Sequence, residues 1–179
     1  MTAIDRHQIA KLLAEGDRAT TTTARGRALE DLIVYLFELI PGITVTARNA
    51  LNAFKAEEID VAFWNDGDPT GLRMFDHILL VECKNWTARA GYPELALFND
   101  KLTSRGRPMG IFVAAAGITG DPRDRTAAHE VLARALQHGR EIIVLTRWEI
   151  ENLEDTDDLV LLLKRKRAQL AVSGTIFEQ

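Results

Sequence analysis

The first forty residues carry two helical patterns of apolar side chains separated by a threonine-rich turn. Residues 4–15 predict one helix, and Gly16 is expected to end it. The threonines at 20–23 predict an N-terminal cap for a second helix over 24–39, which a Pro-Gly pair stops. The predicted buried stripe of this second helix consists of Leu29, Leu32, Ile33, Leu36, Phe37 and Ile40.

Three strands are predicted after these helices. Residues 43–48 and 57–64 alternate apolar and polar side chains, as strands with one buried face do. A dense turn signal at 65–69 leads to a continuous apolar run at 76–84. Such a run is typical of a central strand that is covered on both faces.

The second half of the chain alternates helices with strands. Further strands are expected at 109–116 and 141–146, and helices from about Pro93, at 125–137, at 148–153 and at 157–171. This order predicts an α/β/α layered domain with a mixed central sheet. We expect a single domain, with a helical extension over 1–20, a core over 24–153 and a C-terminal helix and tail over 156–179 that frays at residues 173–175.

Composition and charge narrow the class of protein. The chain has 179 residues, of which 46% are apolar and 27% charged, as in an ordinary globular domain. Its single cysteine excludes an intrachain disulfide and favours a reducing, cytoplasmic setting. No apolar run is long enough for a membrane span, and the charged start does not resemble a signal peptide. The net charge of -4 excludes a wholly basic nucleic-acid-coating protein, although a local basic surface remains compatible with it.

Asp60, Glu82 and Lys84 are the most informative polar residues. Glu82 and Lys84 are two apart in a predicted strand, so their side chains point to the same side. Asp60 lies in the preceding predicted strand, and antiparallel pairing of the two strands would bring all three together at one end of the sheet. Charges beside a buried strand are costly unless they are paired or bind a metal ion.

Two carboxylates and a backbone carbonyl form an oxygen site suited to Mg²⁺. A nearby lysine can hold the attacking water and stabilise negative charge on a phosphate, which points to metal-assisted phosphodiester hydrolysis. The alternative is a Glu-Lys salt pair on a solvent-facing strand, and Glu-x-Lys spacing alone is a weak signal. The apolar strand before it and the placement of Asp60 favour the functional interpretation.

The runs EEIDV (57–61) and LVECKNW (80–86) resemble the restriction endonuclease-like superfamily, the PD-(D/E)xK nucleases, and within it the Mrr-like branch. The run GRALE (26–30) is similar to the helical motif of that branch, and the strand and loop from Gly110 to Thr119 also fit it. The resemblance covers about 24–153. One departure is Ile59, which stands where the family name has proline.

This resemblance implies a fold, an activity and a set of roles. It implies that Asp60, Glu82 and the Cys83 carbonyl hold Mg²⁺, for which Mn²⁺ substitutes. Lys84 would position or activate the water, and Glu30 would orient water or help to hold the metal from its helix. The alternative for Glu30 is an exposed helix carboxylate, and the Cys83 thiol is expected to lie in the core. The implied protein is a metal-dependent endonuclease of restriction, defence or repair that acts on DNA, with RNA as a second possible substrate.

Other polar residues give weaker signals. Arg25 and Arg27 can reach phosphates, but two solvated arginines fit equally well. We interpret the basic run at 164–167, and Lys101 with the basic residues after it, as solvated surfaces. Trp86 can stack on a base or form a wall of the cleft, although a packing tryptophan is the commoner case.

Two other classes of function compete with the nuclease. The turn GITG at 117–120 lies between a strand and a helix, where phosphate loops lie, but it matches neither standard phosphate-loop motif. A nucleotide- or nucleic-acid-binding module is therefore one alternative, and a non-cleaving subunit of a nuclease complex is another. Because cutting both strands of a duplex usually takes two active sites, we expect a homodimer or a partner subunit.

Overall fold

The computed structural model describes residues 2–52, 57–124 and 126–176. Its helices are α1 (Arg6–Arg18), α2 (Thr22–Glu38), α3 (Tyr92–Ser104), α4 (Ala128–Gln137), α5 (Arg147–Glu151) and α6 (Thr156–Ser173). Its strands are β1 (Ile43–Leu51), β2 (Glu58–Asn65), β3 (Ile78–Lys84), β4 (Met109–Ala114) and β5 (Glu141–Leu145). No helix in these described ranges is both long and apolar enough to cross a membrane.

The five strands form one mixed sheet in the order β1-β2-β3-β4-β5. The three N-terminal strands pair antiparallel, and β3, β4 and β5 pair parallel. The antiparallel pairing of β2 with β3, on which the convergence of Asp60 with Glu82 depends, is therefore present. The change from antiparallel to parallel pairing occurs at β3, the strand that carries Glu82 and Lys84.

Each face of the sheet is covered by its own hydrophobic core. Alternate residues of the central strands enter opposite cores: Val81 and Cys83 lie in one, while Leu80 and Phe112 lie in the other. The first core also includes apolar residues of α1, α2, α5 and most of those of α6, whereas α3 and α4 contribute to the second. Two covered faces explain the continuous apolar run of β3 and confirm the predicted α/β/α layering.

The glycine predicted to end the first helix lies inside it. Helix α1 continues to Arg18, and Gly16 is buried against Asn85, where a Cβ atom would come within 2.7 Å of the amide nitrogen. This glycine therefore allows close packing rather than termination. The predicted threonine cap of α2 is confirmed, because the Thr21 hydroxyl accepts a hydrogen bond from the amide of Ala24 at 3.1 Å.

In the C-terminal half of the chain, one prediction is wrong and another lies partly outside the described residues. The tail was expected to fray at 173–175, but Ser173 ends α6, and Thr175 and Ile176 are buried. Thr175 Oγ1 lies 3.0 Å from Nδ1 of the buried His129, so the tail is anchored. The predicted start of the fourth helix at Arg125 lies outside the described residues, and α4 begins at Ala128.

Candidate active site

The antiparallel pairing of β2 and β3 brings Asp60 to the residues around Glu82. One residue beyond the Val61–Val81 pair, Asp60 Oδ2 accepts a hydrogen bond from the backbone amide of Cys83 at 2.6 Å. This bond holds one carboxylate oxygen against the end of β3. The two strands therefore place the predicted acidic residues side by side at one end of the sheet.

Glu82 binds two lysine side chains, one through each carboxylate oxygen. Lys84 Nζ lies 2.8 Å from Oε1, as expected for neighbours on one side of a strand. Lys101 Nζ, which comes from α3, lies 2.7 Å from Oε2. Glu82 is 3% exposed, so these two ammonium groups provide the balancing charge that a buried carboxylate needs.

Glu30 approaches the same region from α2. It is 7% exposed, and its Oε2 accepts a hydrogen bond from Asn49 Nδ2 at 3.1 Å. Arg48, which pairs mainly with Asp31 at 2.6 Å, lies 3.6 Å from the same oxygen. The interpretation of Glu30 as an exposed helix carboxylate is therefore wrong, because its helix directs it inward towards the site.

The carboxylates affect each other electrostatically. Burial, followed by repulsion from Glu82 and a smaller contribution from Glu30, raises the pKa of Asp60 to about 6, against the opposing hydrogen bond from the Cys83 amide. Burial would lower the pKa of Lys84, but the adjacent carboxylates of Glu82 and Asp60 outweigh burial and raise it. Lys84 is therefore an ammonium group at neutral pH.

The thiol of Cys83 lies on the opposite face of β3 from Glu82. The residue is 6% exposed and belongs to the core that contains Val81, and burial raises the pKa of its thiol well above the usual value. A thiol of this kind is not a nucleophile at neutral pH. The prediction that the Cys83 side chain lies in the core is confirmed.

An open cleft of about 310 Å³ lies next to Lys84. Its lining includes Arg25, Asn85, Trp86 and Arg147. Trp86 is 44% exposed, and its ring centre is 5.8 Å from Lys84 Nζ, so the interpretation of Trp86 as a packing residue is wrong. Asn85 donates from Nδ2 to the carbonyl of Arg25 at 2.9 Å, which ties the end of β3 to the first turns of α2.

Arg27 lines a second cavity that lies apart from the acidic residues of the site. Arg27 is exposed and lines a cavity of about 640 Å³ beside the turn between α1 and α2. That cavity contains none of the residues Glu30, Asp60, Glu82 and Lys84.

The donor atoms suit a hard divalent cation, although several are already engaged. Asp60 is subject to repulsion from both Glu82 and Glu30, so the three carboxylates form one region of negative charge that a divalent cation would offset. Within the described residues, however, no three His, Cys, Asp or Glu side chains are already arranged as a metal site. Both Glu82 oxygens contact lysines, so coordination by Glu82 requires one of these contacts to lengthen.

The sequence pattern predicts a solvated Lys101, and this prediction is wrong. It is 6% exposed and contacts the same carboxylate as Lys84. A signal was present, since Lys101 follows Phe98 by three positions and therefore continues the buried stripe of α3. The basic run at 164–167 contains a similar case, because Lys166 is 3% exposed and lies 2.6 Å from Glu149 Oε1.

The turn at 117–120 does not offer the open row of amides that a phosphate loop needs. The amide of Gly117 donates to the carbonyl of Ala114, and the amide of Thr119 donates to the carbonyl of Ala90. The first bond closes the turn on the end of β4, and the second holds the turn against the segment after β3. This arrangement favours a structural role for the turn.

Comparison with known proteins agrees with the geometry. The family model described as a restriction endonuclease, of the Mrr catalytic-domain type, matches residues 22–151, which is well over half of the chain. The comparisons with curated proteins and with solved structures gave no match. The matched region runs from the start of α2 to the end of α5 and contains both strands and the helix that bring the acidic residues together. The chain therefore belongs to the Mrr-type restriction endonuclease family.

Proposed function

We propose that this chain is an endonuclease that hydrolyses phosphodiester bonds of DNA and depends on Mg²⁺, for which Mn²⁺ substitutes. Membership of the restriction endonuclease family supports the reaction class. The observation that carries the proposal is the meeting of Asp60 with the Glu82–Lys84 pair on adjacent antiparallel strands. A purely structural ion pair would not need the additional half-buried carboxylate of Asp60, whose pKa is raised by partial burial and by Glu82.

In this proposal Asp60, Glu82 and the carbonyl of Cys83 hold the divalent cation. The cation supplies positive charge that offsets the charge developing on the phosphate and makes water a better nucleophile. Glu30 lies close enough to influence Asp60, and from there it orients water or supports the cation. These carboxylates are hard oxygen donors, which Mg²⁺ prefers.

Lys84 acts through its positive charge. The neighbouring carboxylates raise its pKa, so it holds a proton at neutral pH and donates hydrogen bonds instead of removing a proton. It can hold the attacking water with one N–H group and stabilise a phosphate oxygen with another. Removal of such a preorganised donor typically costs about 10²–10³ in rate.

The test compares Asp60→Ala, Glu82→Ala and Lys84→Ala with the unmodified chain on plasmid DNA. We expect Mg²⁺-dependent nicking by the unmodified chain, its loss in EDTA, and a fall of at least about 10² in each variant. Glu149→Ala is the matched control, because Glu149 is a buried glutamate paired with a lysine away from the site. Cleavage at the normal rate by all three site variants, with folding verified by circular dichroism, would refute the proposal.

A panel of duplex DNA, single-stranded DNA, modified DNA and RNA then defines the substrate. Single-strand nicks that precede double-strand breaks would indicate that one active site acts at a time. Light scattering during the reaction would establish whether duplex cleavage coincides with a homodimer. Breaks of both strands by a lone monomer in a single binding event would contradict the expected pairing of two active sites.

A non-cleaving subunit of a nuclease complex is the second candidate. The observation that favours it is the double ion pair of Glu82, which leaves neither carboxylate oxygen free of a lysine. For such a subunit, adding a divalent cation would change the DNA affinity of the unmodified chain and of Glu82→Ala to the same extent. Mn²⁺ binding that is lost in Glu82→Ala would exclude it.

A further inference from the structure

Lys101 is a buried lysine that reaches the site from outside the predicted set of residues. Its helix, α3, packs on the sheet face that contains Leu80 and Phe112, and Leu95, Phe98 and Leu102 anchor that helix in the core. Lys101 shares this buried surface and is only 6% exposed. Its ammonium group contacts Glu82 Oε2 at 2.7 Å.

A buried ammonium group is stable only when a partner balances its charge. Glu82 is that partner for Lys101, and it is also the partner of Lys84 through its other oxygen. The site thus combines the carboxylates of Glu30, Asp60 and Glu82 with two ammonium groups. Each ammonium group reduces the negative charge available to a divalent cation, and screening by water is weak at such depth.

We propose that Lys101 competes with the divalent cation for the Glu82 carboxylate and thereby sets the metal affinity of the site. The inference rests on the proposed function, since it assumes that Glu82 is a metal ligand. Lys101 acts through Glu82, so it is a positioning residue and not a catalytic one. The contact on Oε2 also fixes the orientation of the carboxylate. The cation therefore binds only at concentrations high enough to compete with Lys101 for Glu82.

The experiment measures Mn²⁺ binding to the full chain by electron paramagnetic resonance of free Mn²⁺, without substrate. Lys101→Met removes the competing charge, and we expect a Kd roughly tenfold lower than that of the unmodified chain. Lys101→Gln also lacks the charge but keeps a donor for Glu82, so it should tighten binding as well and provides the test should the methionine variant not fold. Lys101→Arg keeps the charge and should leave the Kd within about twofold.

The matched control is Lys166→Met. Lys166 is as deeply buried as Lys101 and pairs with Glu149 at 2.6 Å, but it lies away from the acidic cluster. Its loss should destabilise the fold without changing the Kd for Mn²⁺. A control variant that tightened Mn²⁺ binding equally would show a general effect of losing a buried lysine and would overturn the inference.

The outcomes separate this inference from the proposed function. In one outcome, Glu82→Gln abolishes Mn²⁺ binding, whereas Lys101→Met leaves it unchanged or weakens it. This result would overturn the competing role of Lys101 but not the metal site. Absence of Glu82-dependent binding in both the unmodified chain and Lys101→Met would overturn the metal site and the inference together. Tighter Glu82-dependent binding in both neutral variants would support both.

Discussion

The Asp60 carboxylate is held where burial and two other carboxylates disfavour its charge. The folded protein therefore holds a proton on Asp60 more tightly than the unfolded chain does, since the pKa rises from 3.8 to about 6. Below the unfolded value the residue is neutral in both states and has no effect on stability. As the pH rises from there through the folded value of about 6, the charge of Asp60 progressively destabilises the fold.

Asp60→Asn should therefore stabilise the protein above pH 6 in EDTA. The amide oxygen can still accept the Cys83 hydrogen bond, while the repulsion from Glu82 and Glu30 disappears. We expect a gain of about 1–2 kcal/mol in the free energy of unfolding at pH 8, below the full value of the shift because the site is partly hydrated. Thermal unfolding followed by circular dichroism should show this gain vanish near pH 4.

Asp17→Asn provides a comparison of opposite sign. Its hydrogen bonds with Arg147 lower the pKa of Asp17, so its stabilising contribution is present above the unfolded value and is lost as the pH falls. Because Asp17 is exposed, Asp17→Asn should lower the free energy of unfolding at pH 8 only slightly. If Asp60→Asn also lowered stability at pH 8, the inferred repulsion among the site carboxylates would be incorrect.

At the level of elements, the approach of α3 to the sheet determines where Lys101 lies. Gly110 of β4 lies beneath this helix, and a Cβ atom there would come within 2.6 Å of Phe98 and 2.8 Å of Leu102. These side chains are fully buried, so they have no free space into which to move. The absence of a side chain at Gly110 therefore allows the helix to pack close enough for Lys101 to reach Glu82.

Gly110→Ala should push α3 outward and lower the free energy of unfolding by about 1–3 kcal/mol. Mn²⁺ affinity should change as well, because the Lys101–Glu82 contact lengthens. Phe98→Leu provides room for the new methyl group, so the double variant should recover part of the stability lost by Gly110→Ala. Additive losses in the double variant, measured by urea unfolding, would show that Phe98 does not limit the position of the helix.

The elements that hold the site were largely predictable from periodicity. The apolar run at 76–84 indicated a central strand, and β3 ends at Lys84 as its pattern requires. The meeting of Asp60 with Glu82 needed only antiparallel pairing across the turn-rich loop. What periodicity could not supply was the packing of one element on another, as Gly16 illustrates by permitting a close contact with Asn85 inside a helix.

The buried lysines show where residue type misled the sequence interpretation. Lys101 and Lys166 both lie on the apolar stripes of their helices, three positions after Phe98 and Leu163 respectively. Because lysine is usually exposed, a lysine on the apolar stripe of a helix is readily predicted to be solvated. In both cases the partner is a glutamate from another element, which helical periodicity cannot identify.

For the molecule as a whole, net charge opposes binding of a polyanion. The chain carries a formal net charge of -4, and three carboxylates converge at the proposed site of phosphate contact. Without a divalent cation, DNA is therefore expected to bind weakly and mainly through local basic groups. Arg25, which lines the cleft after β3, is such a basic group, and Trp86 in the same cleft offers a ring face for stacking.

Glu82→Gln should therefore raise the affinity for DNA in EDTA several-fold. Loss of this carboxylate removes one negative charge and releases the partly exposed Lys84 from its ion pair, so the Lys84 ammonium group becomes available to attract phosphates. Each additional neutralised phosphate steepens the slope of log affinity against log salt by about 0.9, so a titration by fluorescence anisotropy at several salt concentrations measures the effect. Glu149→Gln frees Lys166 of a comparable pair elsewhere and should leave both affinity and slope unchanged. An equal gain in that control would attribute the effect to net charge, whereas a gain confined to Glu82→Gln would support phosphate contact by Lys84.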